Sequence, residues 1–446
     1  MPSGPGRRLR ALAALGLVAA AAALGGCGRV DEQGPVRFLV FGDPEELAAY
    51  RTLVRAYERA APGAGVELVE ASDRADLLTR LSTSIAGGTP PDVFLVNYRF
   101  YGQYAARGAI EPLDERIAES DEIDPEDFYP QALEAFRWRG EQLCLPQNVS
   151  SLVVYVNRAL FRRYAVPEPR PGWTWNELVA IAGALTRDAD GLPAAAGDPD
   201  AGGRVPVVWG LGVEPTLIRI APFVWSNGGQ LVDDERRPTR LALDGPAARQ
   251  ALQAFLDLRA QGVVPTDEEV EAEDDESRFA NGRLAMLLSS RRSTTTFRTV
   301  AGLDWDVVPL PRWREPAGIL HSDAYCIPAG SGRKDAAWAF VEFAGSAEGQ
   351  RILARTGRTV PSRIAVSRSP AFLDPTRPPR HARVFLDAIP TIRRAPSLST
   401  WPEIEDAAEG ILENGLYRAE PVDEVIRRLD RATRPLFARG EGPESG

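Results

Sequence analysis

The chain has 446 residues, 44% of them hydrophobic and 26% charged, with a formal net charge of −10. This is ordinary globular composition, and the length exceeds the roughly 250–300 residues at which a single core stops growing, so two lobes are expected. The basic residues gather in nothing longer than pairs such as Arg291-Arg292 and Arg393-Arg394, which argues against a nucleic-acid surface. Two histidines and three cysteines without ligand spacing point to no metal and no cofactor.

Arg7, Arg8 and Arg10 precede an apolar run over residues 11–24. The run falls short of the roughly 20 residues that span a bilayer and closes on Leu24-Gly25-Gly26-Cys27, so it reads as a signal peptide. Its end resembles a bacterial lipobox. That implies removal of residues 1–26, acylation of Cys27, and residues 27–35 as the linker of an exported, membrane-anchored lipoprotein. Ordinary cleavage near Gly26, with Cys27 incidental, is the alternative.

Beyond the leader, short apolar runs alternate with helical periodicity, the pattern of an α/β sheet with crossover helices. Residues 36–41 predict a buried strand, followed by a helix with Asp43 as N-cap and Pro44 in its first position. Leu47, Tyr50, Leu53, Val54 and Tyr57 fall on one face of that helix, which Pro62-Gly63 ends. Strands follow at 66–69 and 93–96, with an amphipathic helix at 76–85 between them. Such β-α-β-α-β units bind ligands beyond the carboxyl ends of their strands, which singles out Phe41-Gly42-Asp43 and Asn97-Tyr98. Further strands are expected at 143–146 and 152–156, joined through Gln147-Asn148-Val149-Ser150-Ser151. Helices are expected at 158–164 and 175–185, the second opened by the capping box Thr174-Trp175-Asn176-Glu177. Residues 189–204 read as a surface loop, and the acidic stretch 267–276 as a solvated loop or helix face. Helices complete the chain at 247–260, 336–343, 382–388, 402–414 and 422–436.

No GxSxG elbow, HExxH or GxGxxG after a strand is present. His321-Ser322-Asp323 puts three triad residue types side by side, but neighbours on a strand face opposite ways and cannot form a nucleophile, base and orienter unaided. They read as a polar, ligand-facing loop. Aromatic residues stand beside polar ones on expected loops: Tyr98 and Tyr101, Trp225 with Asn227, and Trp401 after Arg393-Arg394. A pyranose has apolar C–H faces and a hydroxyl rim, so it calls for flat aromatic platforms edged by amide, carboxylate and guanidinium groups. Core packing is the competing reading of each ring.

Five blocks carry a resemblance along nearly the whole chain: Phe41-Gly42-Asp43-Pro44-Glu45-Glu46, Gly88-Thr89-Pro90-Pro91-Asp92-Val93, Phe223-Val224-Trp225-Ser226-Asn227-Gly228-Gly229, Phe279-Ala280-Asn281-Gly282-Arg283-Leu284-Ala285-Met286, and Ala337-Trp338-Ala339-Phe340-Val341 running to Glu348-Gly349-Gln350. In this order they resemble the bacterial extracellular solute-binding proteins of ABC importers. The resemblance implies an α/β, two-lobe periplasmic-binding-protein fold of type II-like form. The N-terminal lobe would comprise 36–147 plus 325–371 and the C-terminal lobe 148–324 plus 372–446. The chain would cross near 146–151, return near 324–329 and cross again near Phe372.

The implied function is capture without catalysis: a monomer that closes about its hinge on a small polar solute, by family a carbohydrate, and delivers it to the permease subunits. The implied contacts are Asp43, Asn97, Tyr98, Gln147, Asn148, Trp225, Ser290, Arg291, Ser322, Asp323 and one of Arg393 or Arg394. Gly88, Asp92, Trp338 and Gly349 read as structural, with ligand contact an alternative for Asp92. Family members often carry Trp where Phe41 stands, so a stacking platform there is smaller. Neutral sugar is preferred on family grounds, although Arg291, Arg292, Arg393 and Arg394 would suit an acidic solute. The rivals are an exported hydrolase using a cleft carboxylate pair and a lipoprotein that feeds a sensor. The crossing assignment also sets Cys144-Leu145-Pro146 beside Cys326-Ile327-Pro328. An oxidising exterior would permit a disulfide if their Cα atoms lie within about 7 Å, and two buried free thiols are the alternative.

Overall fold

The computed structural model of the protein describes residues 1, 34–42, 44–194 and 204–444. The leader, Cys27, Asp43 and much of the loop expected at 189–204 lie outside the described residues. Strands β1 (Val36–Phe41), β2 (Val66–Ala71) and β3 (Val93–Asn97) are parallel, joined by the helices Pro44–Ala60 and Arg74–Ala86. The first begins at Pro44, where the sequence places its start, and the second at Arg74, two residues before the expected 76. Asp73 caps the second by accepting from the Asp76 amide at 2.8 Å. A short hairpin, β4 (Arg137–Trp138) and β5 (Glu141–Gln142), precedes β6 (Cys144–Pro146).

The chain then builds a second sheet from β7 (Val153–Asn157), β8 (Trp209–Gly212), β9 (Leu284–Ser289) and β10 (Trp305–Val308), in the order β10-β7-β9-β8. Strand β11 (Gly318–Ile319) pairs with the late β13 (Ile392–Arg393). Strand β12 (Asp323–Cys326) returns to the first sheet, whose order is β2-β1-β3-β12-β6.

Alternation along the first sheet explains how it packs. Phe38, Val40, Val93, Leu95, Leu145 and Tyr325 point to one side, into a cluster with Tyr50, Leu53, Tyr57 and Phe340 from the helices Pro44–Ala60 and Lys334–Gly345. The Phe38 and Phe340 ring centres are 5.2 Å apart. Leu39, Phe94, Val96, Cys144 and Cys326 point to the opposite side, into the larger core that continues through the second sheet. A sheet buried on both faces needs continuous apolar strands, which is what Val93-Phe94-Leu95-Val96 supplies.

Around the second sheet the helix Trp175–Leu185 opens with the expected capping box: the Thr174 side chain accepts from the Glu177 amide, and Glu177 accepts from the Thr174 amide at 2.7 Å. The helices Trp401–Tyr417 and Val422–Arg439 pack on each other and on Pro246–Leu256. Among the described residues no helix is long and apolar enough to cross a membrane.

Cys144 and Cys326 are register partners across the antiparallel β6–β12 pair, joined by a disulfide with Cα atoms 4.5 Å apart. That spacing belongs to antiparallel partners that exchange no backbone hydrogen bonds.

Candidate ligand-binding site

Three stretches of chain run side by side where the two sheets meet. Ser150 and His321 exchange backbone hydrogen bonds of 2.9 and 2.8 Å, the Gln147 amide donates to the Asp323 carbonyl at 2.8 Å, and the Val149 amide donates to the Val360 carbonyl at 2.9 Å. Residues 323–326 already belong to β12 of the first sheet, so the second of these stretches precedes the 324–329 expected for the return. A cavity of about 200 Å³ sits against them. Phe41 and Asn97 reach it from the carboxyl ends of β1 and β3, and Ser290, Arg291 and Arg292 reach it directly after β9.

Five residues implied by the resemblance meet in this cavity: Asn97, Asn148, Ser290, Arg291 and Asp323. They form a fixed polar frame. The Asn97 amide donates to Asp323 at 3.1 Å, and Asn148 Oδ1 accepts from the Asp323 backbone at 2.7 Å. Gln147 and Ser322 stand behind the frame and do not line the cavity. Gln147 Nε2 donates to the hydroxyls of Tyr325 at 2.8 Å and Tyr50 at 3.2 Å, and the Ser322 hydroxyl donates to the Asn148 carbonyl at 2.6 Å. Both side chains are spent on holding the crossing segments in place.

Tyr98, Trp225, Arg393 and Arg394 are not at this cavity, and the expected loops that carry the aromatics are helices. Asn97 Oδ1 accepts from the Arg99 amide and starts the helix Tyr98–Ala105 at once, which turns Tyr98 and Tyr101 into the core at 0% exposure. The Tyr98 hydroxyl accepts from the Ala395 amide at 3.2 Å. Trp225 lies inside the helix Leu217–Ser226, whose start was hidden by Pro222. The Arg393 guanidinium sits 4.8 Å over the Trp225 ring, and both residues, with Arg394, line a separate cavity of about 460 Å³. Arg394 donates to the Glu134 carbonyl at 2.6 Å, and Arg393 pairs with Glu235. Trp401 begins the helix Trp401–Tyr417 and is fully buried. Core packing is the reading that holds for these rings.

The residues that dominate the cavity escaped the sequence reading. Arg74, Arg99, Arg219 and Arg358 join Arg291 and Arg292, giving six arginines against the three carboxylates Glu46, Glu214 and Asp323. Each carboxylate is already engaged: Glu46 by Arg358 at 2.8 Å, Glu214 by Arg219 at 2.9 Å, and Asp323 by Asn97. Among the described residues, no carboxylate that lines the cavity is without a partner. Arg99 pairs with Glu405, outside the cavity lining, and Arg292 approaches Glu276 at 3.8 Å. Arg74 and Arg291 have no ionic partner among the described residues. Arg74 lies 5.5 Å from the Phe41 ring centre and 5.3 Å from that of Phe100. Arg291, 1% exposed, lies between Phe372 and Phe385 at 4.8 and 5.0 Å and donates its Nε to the Gly357 carbonyl at 2.8 Å.

Burial first, and then Arg219, Arg99, Arg74 and Arg292, hold His321 well below the ordinary imidazole range, so its ring is neutral. The one local signal for these arginines is position. Arg74 opens a helix just after the carboxyl end of β2, and Arg358 follows Gly357, the left-handed end of the helix Ala347–Thr356. Asp92, for which ligand contact was the alternative, is structural: it accepts from the Arg37 amide at 2.9 Å and the Ser331 hydroxyl at 2.8 Å.

Comparison with known proteins follows the same geometry. The family model described as bacterial extracellular solute-binding protein matches residues 42–351. A maltotriose-binding protein of Pyrococcus abyssi is 26% identical over 308 residues, 67% of this chain, and the match spans 60% of that protein's length. An ABC substrate-binding protein from Listeria monocytogenes, solved in complex with cycloalternan, superposes with a TM-score of 0.80 at 23% identity, covering 90% of this chain and 98% of that one. UgpB from Mycobacterium tuberculosis, in complex with glycerophosphocholine, gives a TM-score of 0.76 at 22% identity over 91% of this chain and 99% of that one. The architecture is therefore the two-lobe fold of periplasmic binding proteins.

Proposed function

Because this chain belongs to the bacterial extracellular solute-binding proteins, a family of binders and not of enzymes, we propose that it captures a small polar solute of carbohydrate type by closing two lobes around it. In this reading it hands the solute to the permease subunits of an ABC importer. It acts as a monomer, exported and held at the membrane through an acylated Cys27. The lobes divide near 36–147 with 325–371 and 148–324 with 372–446, with Asp323 and Ala324, as part of β12, going with the first lobe.

One observation carries the proposal. The cavity at the crossing segments is lined from both sheets, by Phe41 and Asn97 on one side and by Ser290, Arg291 and Arg292 on the other. A solute held there ties the two lobes together, so binding shifts the population toward the closed form. The volume of about 200 Å³ lies below the roughly 300–1,000 Å³ of pockets for drug-sized ligands, which favours a solute of one or two sugar-sized units. Thermal-shift measurement against mono-, di- and oligosaccharides beside glycerol phosphodiesters tests it. A true ligand stabilises the protein by RT ln(1 + [L]/Kd), about 2.7 kcal/mol at a hundredfold excess over Kd, and is recovered unchanged. Steady consumption of the ligand would instead establish the hydrolase.

A further inference from the structure

We infer that the solute held in the cavity between the sheets carries a compact oxyanion, a phosphate or a carboxylate, and is not a neutral sugar. This rests on the reading that the cavity is the ligand site, and it departs from the preference for neutral sugar that the family resemblance gives.

Charge is the first ground. Among the described residues the cavity lining holds an excess of three arginines over carboxylates, and neither Arg74 nor Arg291 forms an ion pair there, Asp323 acting on Arg74 only at longer range. Like charges confined in a medium of low dielectric repel strongly, and among the described residues the Asp323 carboxylate offsets Arg74 only in part, since burial and Arg99 still pull Arg74 below the usual arginine range. Hydrogen bonding is the second, independent ground. Arg291 Nη1 and Nη2, Arg219 Nη1, Arg74 Nε, Arg358 Nε and His321 Nε2 are buried without a hydrogen-bond partner. A buried polar group left unpaired costs about 1–3 kcal/mol, and such groups are few in native proteins. Others are scattered elsewhere among the described residues, but these six belong to five residues that line a single cavity.

The two grounds converge on one chemistry. A guanidinium presents a fork of donors that an oxyanion meets with two parallel hydrogen bonds, and a charged acceptor makes these roughly twice as strong as neutral ones. A neutral hydroxyl would satisfy a donor but leave the excess charge unanswered. The same guanidinium weakens the sugar-stacking alternative, because Arg74 sits over the Phe41 ring, where family members often place Trp. His321 is held well below the ordinary imidazole range first by burial and only then by the four surrounding arginines.

The test is calorimetric titration of the full chain with matched probes: glucose, glucose 6-phosphate, glycerol 3-phosphate, glucuronate and galacturonate. The same titrations are repeated on Arg291→Met and on Arg74→Gln, which keeps a hydrogen-bonding side chain at a less buried position in case the first variant fails to fold. The expected result is saturable binding of at least one anionic probe, no measurable binding of glucose, and a Kd raised at least tenfold in either folded variant. Binding confined to the phosphates or to the uronates identifies which oxyanion is used. Glucose bound as tightly as its anionic analogues would overturn the inference while leaving sugar capture standing. Anion binding unchanged in both variants would overturn the placement of the site itself. Binding of none of the probes would count against the oxyanion assignment.

Discussion

The Arg74 guanidinium and the Phe41 ring lie 5.5 Å apart at the mouth of the cavity, so the aromatic surface at the end of β1 is covered by a cation. Burial, and after it the nearby Arg99, pulls Arg74 below the usual arginine range. The native fold therefore bears a cost for keeping this charge, and the contact with the ring returns only about 0.5–2 kcal/mol. Arg74→Met is expected to raise the unfolding midpoint of the ligand-free protein, by about 1 kcal/mol of stability, as often happens when a strained functional group is removed. A lower midpoint by chemical denaturation would show the contact with Phe41 to be the stronger effect.

Glu46 and Arg358 form a buried pair at 2.8 Å with side chains 5% and 12% exposed. Breaking such a pair by removing one partner leaves an uncompensated charge and costs about 3–5 kcal/mol. Glu46→Gln should show that loss, and the double variant Glu46→Gln with Arg358→Met should recover much of it. Equal stability of the single and double variants in urea would contradict the account.

Asp275 is pushed up to about 7, mainly by burial and also by Glu214 and Asp274, with Arg278 opposing. The folded state therefore holds a proton between pH ~4 and ~7 that the unfolded state, with an ordinary aspartate near 3.9, has released. Stability from this group is fully present below about pH 4 and declines as pH rises through 7. Asp275→Asn should flatten that decline and make the protein more stable than wild type at pH 8. Parallel pH profiles of the melting temperature for the two proteins would refute the assignment.

The disulfide closes a long loop, for which the chain-entropy model gives about 2–5 kcal/mol of stabilisation. Cys144→Ala with Cys326→Ala should lose stability of that order while ligand affinity stays unchanged, since neither cysteine lines the cavity. Free thiols in the unreduced native protein, counted by intact mass, would remove the basis of this expectation.

The first sheet was legible because its signals are local. Alternating apolar runs mark β1 and β3, the apolar spacing of Tyr50, Leu53, Val54 and Tyr57 marks a helix that buries all four, and the Thr174 and Glu177 pair marks a helix start. The strands β8 and β10 carried no such mark, being short and flanked by irregular chain. Trp225 was read as loop because the Gly228-Gly229 turn after it speaks louder than the helix before it, which contains Pro222. The cavity was half legible. Asn97 and Asn148 follow strands and Arg291 follows a motif, but Arg74, Arg219 and Arg358 come together only through the fold, and no spacing in the sequence relates them.

The bond between Cys144 and Cys326 spans a sequence separation of 182, and all four strands of the second sheet lie within it. That sheet is thus part of a covalent ring whose clasp sits in the neighbouring sheet. A protease that cuts once anywhere in the ring produces two chains and no loose fragment, and only a reductant applied after the cut would let them part. For a protein that works outside the reach of the cell's repair machinery, nicking alone does not dismantle the particle.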